Sequence, residues 1–158
     1  LLSSKSVHWR TPSAVIDLVE FAIGSIDLDP CASPDSTYHF ARHNLATGGL
    51  EYPWGAALSI FVNPPYGREM GAWISRFATL ESNAPRILLV PARTDTKWFR
   101  ALCQLRGSGW AACFWRGRMK FNEDVHGDPA PFPSLLVYIG ESPPRFVRAF
   151  GPYGEIFE

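Results

Sequence analysis

The sequence predicts an α/β domain with a mainly parallel central sheet. Short apolar runs rich in β-prone residues alternate with stretches of helical periodicity, the pattern of strand–helix–strand units. The clearest runs are Leu58-Ser59-Ile60-Phe61-Val62 and Arg86-Ile87-Leu88-Leu89-Val90. Stiff or polar turns follow both runs, at the strand ends where such sheets collect their ligands.

Taken in order, residues 1–8 read as a loose lead-in. Trp9-Arg10-Thr11-Pro12 opens a helix, with Thr11 as N-cap and Pro12 in the first helical position. Val15, Ile16, Leu18, Val19, Ala22 and Ile23 carry the helical spacing as far as Gly24, which stops it. Ile26-Asp27-Leu28-Asp29 alternates like a short strand, and Pro30-Cys31-Ala32-Ser33-Pro34 turns away from its end. Residues 35–55 are polar and weakly patterned, a long loop with one helical turn around 38–43. After the strand ending at Val62, residues 70–80 show helical periodicity through Met70, Trp73, Ile74, Phe77 and Leu80. The strand 86–90 leads through Pro91-Ala92-Arg93-Thr94-Asp95 to a helix over 96–105. Strands at 111–115 and 134–139 flank a proline-rich stretch, and the tail from Arg145 holds a further strand. By this reading Asp29, Asn63, Pro91 and the residues after Trp115 all lie at strand ends.

The chain has 158 residues, 46% of them hydrophobic, with six tryptophans. That bounds the reading to one compact domain over 1–158, with 35–55 and 122–133 as substrate-side loops and no separate target-recognition domain. No apolar run approaches the length of a membrane span, and residues 1–7 lack a signal-peptide layout. Cys31, Cys103 and Cys113 are odd in number and have no metal or redox spacing, which predicts reduced thiols and a cytoplasmic location. Net charge is zero, but its distribution is uneven. Between Arg86 and Lys120 stand eight basic residues and one acid, interleaved with Trp98, Phe99, Trp110, Phe114 and Trp115. This pattern fits a phosphate-facing surface, or else a solvated face whose acids lie elsewhere in the chain.

The most informative stretch is Asn63-Pro64-Pro65-Tyr66, directly after the apolar run. Each proline has a fixed φ and no N–H, so the turn is rigid and cannot continue the ladder. It displays the Asn63 amide oxygen and the Pro64 carbonyl as acceptors, with Tyr66 as a flat apolar face beside them. Two acceptors suit the two N–H bonds of an exocyclic amine, and the aromatic suits the ring that carries it. At the end of the first strand, Asp29 can pair with the ammonium of a methionyl group, although it also fits an ordinary Asp-Pro turn. His39 and His43 are four apart but lack a third ligand at a fitting spacing, so no metal site is expected. Neither a Gly-x-Ser-x-Gly elbow nor a Gly-x-x-x-x-Gly-Lys phosphate loop occurs.

Together these segments resemble the phage-type DNA N6-adenine methyltransferases, a compact family that uses S-adenosylmethionine and is often found in bacteriophages and prophages. The resemblance is carried by Trp9-Arg10-Thr11-Pro12, Leu28-Asp29-Pro30-Cys31-Ala32-Ser33-Pro34, Asn63-Pro64-Pro65-Tyr66-Gly67-Arg68 and Pro91-Ala92-Arg93-Thr94-Asp95-Thr96-Lys97-Trp98-Phe99. It continues through Arg116-Gly117-Arg118-Met119-Lys120-Phe121 and Ala130-Pro131-Phe132-Pro133-Ser134. It implies a Rossmann-like methyltransferase domain acting on double-stranded DNA, while monomer and homodimer both stay open. Asn63, Pro64, Pro65 and Tyr66 would be catalytic. Trp9, Thr11, Asp29, Pro30, Cys31, Ala32 and Asn63 would hold the cofactor, and Tyr66, Arg93, Arg116, Arg118 and Phe121 the DNA. Phe121 has two readings, a core phenylalanine or a ring stacking on a flipped base, and the resemblance favours the second. Where relatives often carry Asp-Asn before a Leu, this chain has His43-Asn44-Leu45. Similar tetrapeptides also serve enzymes acting on RNA or on protein amides, and a non-catalytic DNA-binding module is the reading from a different class.

Overall fold

A computed structural model describes residues 9–122 and 129–158. The lead-in 1–8 and most of the proline-rich stretch, residues 123–128, lie outside the described residues.

The first helix, α1 (Ser13–Ile23), buries Val15, Ile16, Val19, Ala22 and Ile23 on one stripe, as its periodicity predicts. Gly24 ends it at φ 80°, a conformation costly for residues with a Cβ, and its N–H returns to the Glu20 carbonyl. The start differs from expectation by one residue, because Pro12 is the N-cap and no side chain caps the helix. Thr11 has another partner, described below.

Strand β1 (Leu28–Asp29) is followed by a 3₁₀ turn (Ser36–Tyr38) and by β2 (His43–Asn44), which pairs with β1 in parallel. The expected 35–55 loop therefore contains a strand, and it also contributes to the core. Trp54 is fully buried, stacks on Trp73 at 6.2 Å and donates from Nε1 to the Gly49 carbonyl at 2.8 Å. Gly49 itself packs so closely on the Pro30 carbonyl that a Cβ would have no room.

Strand β3 (Ile60–Val62) is shorter than its apolar run, for Leu58 is 73% exposed. Helix α2 (Met70–Thr79) leads to β4 (Arg86–Pro91), and α3 (Lys97–Gln104) to β5 (Trp110–Trp115). Thr96 caps α3 by accepting from the Phe99 N–H at 3.2 Å. Strand β6 (Ser134–Ile139) follows, then α4 (Pro143–Phe150) and β7 (Gly154–Phe157). The tail thus holds the expected strand and, ahead of it, a helix that the sequence reading passed over.

The seven strands lie in the order β2-β1-β3-β4-β6-β5-β7. Strands β1 to β5 run in one direction, while β6 and β7 oppose their neighbours. The sheet is the mainly parallel, Rossmann-like one expected. Strands β3 and β4 are buried at every position, which requires cover on both faces. Helices α1 and α4 pack together, as do α2 and α3.

From β1 the chain moves outward to β2 on one side, and from β3 to β4 on the other. The order therefore reverses between β1 and β3. In such sheets the crevice at the carboxyl ends of that pair is the binding position. Asp29 ends β1 and Asn63 follows β3, so the two strongest polar signals of the sequence flank this crevice.

One basic residue of the 86–120 segment does not face solvent. Arg86 is 4% exposed and donates to the carbonyls of Phe77 (3.0 Å), Ser82 (3.2 Å) and Leu80 (3.4 Å). It satisfies the end of α2, where carbonyls lack helical partners. Arg93, Lys97, Arg100, Arg116, Arg118 and Lys120 are exposed.

Candidate active site at the sheet switch point

Asn63 is half-buried where β3 gives way to the proline turn. Its Nδ2 donates to the Trp9 carbonyl at 2.6 Å and to the Thr11 hydroxyl at 2.9 Å. Its Oδ1 is shielded from solvent and has no hydrogen-bond partner. Trp73 Nε1, Arg76 Nε and Ser134 Oγ share that condition, but only the Asn63 atom stands at the switch point. An unmet buried acceptor costs about 1–3 kcal/mol, so its presence in a native fold calls for an explanation. A donor arriving from a ligand is the simplest one.

Pro64 is buried and Pro65 half-buried. Tyr66 is 8% exposed, and its hydroxyl lies 3.5 Å from the Leu89 carbonyl on β4. Burial raises the Tyr66 pKa far above the phenol range, so the ring stays neutral. Arg93 and Cys31 both act on Tyr66 electrostatically, which brings those residues into the same neighbourhood.

Around Tyr66 stands an aromatic wall. Phe132 meets it edge to face at 5.4 Å and Phe121 at 6.4 Å, with the Tyr66 and Phe121 planes 87° apart. Trp9 contacts both phenylalanines, at 5.2 Å and 5.8 Å. Phe121 is 2% exposed. That burial matches the core reading of this residue, and its ring also lies against Tyr66. Two perpendicular rings cannot lie flat on the same base, so a sandwich between Tyr66 and Phe121 requires one of them to turn. Phe132, which sequence reasoning did not assign to the site, belongs to the wall as well. The segment carrying Phe121 is clasped to the start of the chain. Arg10 N–H donates to Asn122 Oδ1 at 2.8 Å, and Asn122 N–H donates to the Arg10 carbonyl at 3.1 Å. Asn122 takes φ 52° to do so, which its short polar side chain tolerates.

Across the switch point, Asp29 is 4% exposed and accepts from the Cys31 N–H at 3.0 Å. Burial pushes its pKa up to about 7, against smaller opposing effects of that hydrogen bond and of His39. A cationic ligand group would reverse this by compensating the charge. The following turn is tied to the β2 side, with Ala32 N–H donating to the Leu45 carbonyl and Leu45 N–H to the Asp29 carbonyl. Pro30 and Ala32 are buried and Cys31 half-buried. Asp27 has a structural task instead, accepting from the Leu58 N–H at 2.8 Å ahead of β3.

Trp9, Thr11, Asn63, Tyr66 and Phe121 are thus joined by direct contacts, and Asp29 and Cys31 adjoin them. Arg116 and Arg118 are not part of that group. Arg116 lies 3.6 Å from Glu155, and Arg118 borders a cleft of about 240 Å³ with Pro12, Leu18, Trp115 and Tyr153. Among the described residues no three His, Cys, Asp or Glu side chains gather to hold a metal ion. His39 donates from Nε2 to the Ser33 carbonyl at 2.8 Å. No helix among them is long and apolar enough to cross a membrane.

The family model described as DNA N-6-adenine-methyltransferase (Dam) matches residues 1–132. A DNA N-6-adenine-methyltransferase of Escherichia phage T1 is 32% identical over 91 residues, which make up 58% of this chain and 38% of that protein. The chain therefore spans well under half the length of that relative. The match takes in the switch point, the proline turn and the aromatic wall, and the chain belongs to the DNA N-6-adenine-methyltransferase (Dam) family.

Proposed function

We propose that this chain transfers a methyl group from S-adenosylmethionine to the N6 amino group of adenine in double-stranded DNA, with the target base flipped out of the helix. The observation that carries this reading is the unpartnered, buried Asn63 Oδ1 beside a rigid proline turn and an aromatic wall.

Adenine N6 is a weak nucleophile because its lone pair is delocalised into the ring. Asn63 Oδ1 and the Pro64 carbonyl accept its two N–H bonds, which favours a pyramidal nitrogen and aims the lone pair. Both acceptors are held by the fold before the base arrives, so catalysis is mainly orientation and electrostatic preorganisation. Tyr66 supplies a stacking face for the purine, and Phe121, perpendicular to it, covers the opposite face only once one of the two rings has turned. Flipping a base costs a few kcal/mol, and stacking returns about 1–3 kcal/mol per base.

The residues on the β1 side fit the methyl donor. Asp29, a buried carboxyl needing a cation, suits the methionyl ammonium, and Pro30, Cys31 and Ala32 form the turn beside it. Thr11 and Trp9 border the same crevice through Asn63. Bound there, S-adenosylmethionine supplies an electrophilic methyl group on a sulfonium. Arg93 adjoins the base side, and Arg116 and Arg118 extend the cationic surface towards flanking phosphates.

The test is methyl transfer from labelled cofactor to duplex DNA, RNA and protein by the wild-type chain and by Asn63→Ala. We expect N6-methyladenine in the DNA, and a loss exceeding ~100-fold in the folded variant. Label in RNA or glutamine amides in place of DNA would overturn the substrate. A folded Asn63→Ala with near-normal turnover would overturn the catalytic assignment.

A further inference from the structure

We propose that Thr11 is a positioning residue that, together with the Trp9 carbonyl, holds the Asn63 amide with its oxygen facing the substrate. This rests on the reading of Asn63 as the acceptor for the target amine.

A primary amide is nearly symmetric in shape but opposite in chemistry at its two ends. With Oδ1 towards the base it accepts from the amine, and with Nδ2 there it sets donor against donor. The proline turn fixes where the Asn63 side chain begins, and it does nothing to choose between those orientations. The choice is made by the segment before α1. The Trp9 carbonyl can only accept, so the amide end that meets it must be Nδ2. The Thr11 hydroxyl takes the second Nδ2 proton at 2.9 Å. Both donors are then used, and Oδ1 is left towards the crevice with no partner.

The geometry explains why Thr11 does not cap α1. Its hydroxyl is committed to a residue 52 positions away, and Pro12 begins the helix without a side-chain cap. The clasp between Arg10 and Asn122 anchors the same segment independently of Asn63. A serine keeps the acceptor and loses only a methyl group, whereas a valine keeps the shape and removes the acceptor. Those two substitutions separate the hydrogen bond from packing.

Two measurements on wild type, Thr11→Val and Thr11→Ser test the proposal, with thermal melting to verify folding. The first is hydrogen exchange of the Asn63 side-chain amide protons by NMR, which needs neither cofactor nor DNA. Wild type and Thr11→Ser are expected to protect both protons, and Thr11→Val to exchange at least about tenfold faster, the factor for losing one buried hydrogen bond. The second is steady-state methylation of duplex DNA. There kcat at saturating cofactor is expected to fall about tenfold or more in Thr11→Val and to stay within about threefold of wild type in Thr11→Ser. Unprotected Asn63 amide protons in the wild-type protein would overturn the proposal. So would a Thr11→Val variant that weakens cofactor binding but keeps kcat at saturation, because Thr11 would then be a cofactor contact alone. If the wild-type chain methylates no DNA, the broader functional reading fails, and the exchange experiment still decides the role of Thr11 in orienting the amide.

Discussion

Replacing Asp29 by Asn should stabilise the ligand-free protein and at the same time weaken its grip on the cofactor. The carboxyl is 4% exposed, and burial raises its pKa from an ordinary 3.8 to about 7. In the unfolded chain it ionises near 3.8, so between pH 4 and 7 the folded state binds more protons. Stability from this group is therefore full below pH 4, falls as pH rises towards 7, and stays low above it. At 1.36 kcal/mol per pKa unit the gap corresponds to at most about 4 kcal/mol. Asparagine is neutral throughout and keeps an oxygen for the Cys31 N–H. Urea unfolding should thus find Asp29→Asn close to wild type at pH 4 and more stable at pH 8, by up to about 4 kcal/mol. Calorimetric titration with S-adenosylmethionine should find the reverse preference. Losing one partner of a charged hydrogen bond costs about 1.5–3 kcal/mol, or ten- to a hundredfold in affinity. Wild-type affinity should also fall by up to tenfold per pH unit below 7, because binding must first expel the Asp29 proton, while the variant stays flat. A variant less stable than wild type at pH 8, or one that binds the cofactor as well, would refute the argument that this carboxyl is an unpaired half of an ion pair.

Phe121→Ala should cost about 3–5 kcal/mol in a melting or urea experiment, since the ring packs on Trp9, Tyr66 and Phe132. Phe121→Leu should stay within about 1.5 kcal/mol of wild type and still lose methylation, and normal turnover in that variant would exclude stacking by Phe121. Arg86→Met should destabilise the fold by about 2–3 kcal/mol by orphaning three carbonyls, with DNA affinity unchanged. Arg93→Ala should do the opposite, keeping the melting temperature and lowering the salt dependence of DNA binding by about one phosphate contact. Reversal of these two outcomes would mean that the charges of the 86–120 segment are assigned the wrong way round.

Local chemistry made much of this fold legible in the sequence. Helix α1 announces itself through its apolar stripe and Gly24, β4 through an unbroken apolar run, and the turn after β3 through two consecutive prolines. Each of those signals depends on neighbours within a few positions. Strand β2 has no such signal, because His43 and Asn44 become a strand only by pairing with β1. Helix α4 was obscured by Pro143 and Pro144, which suit a first helical turn but read as breakers. Arg86 looked like surface charge until the end of α2 came to rest against it. The candidate site divides in the same way. Asn63, Tyr66 and Asp29 could be named from residue type and turn stiffness, since their chemistry is intrinsic. The partners of the Asn63 amide lie 52 and 54 positions away, and Phe132 reaches Tyr66 from the far end of the proline-rich stretch. No periodicity encodes contacts at that separation. They exist because the sheet sets β6, which follows Phe132, against β4 beside β3, and the Arg10–Asn122 clasp ties the start of the chain to the segment carrying Phe121.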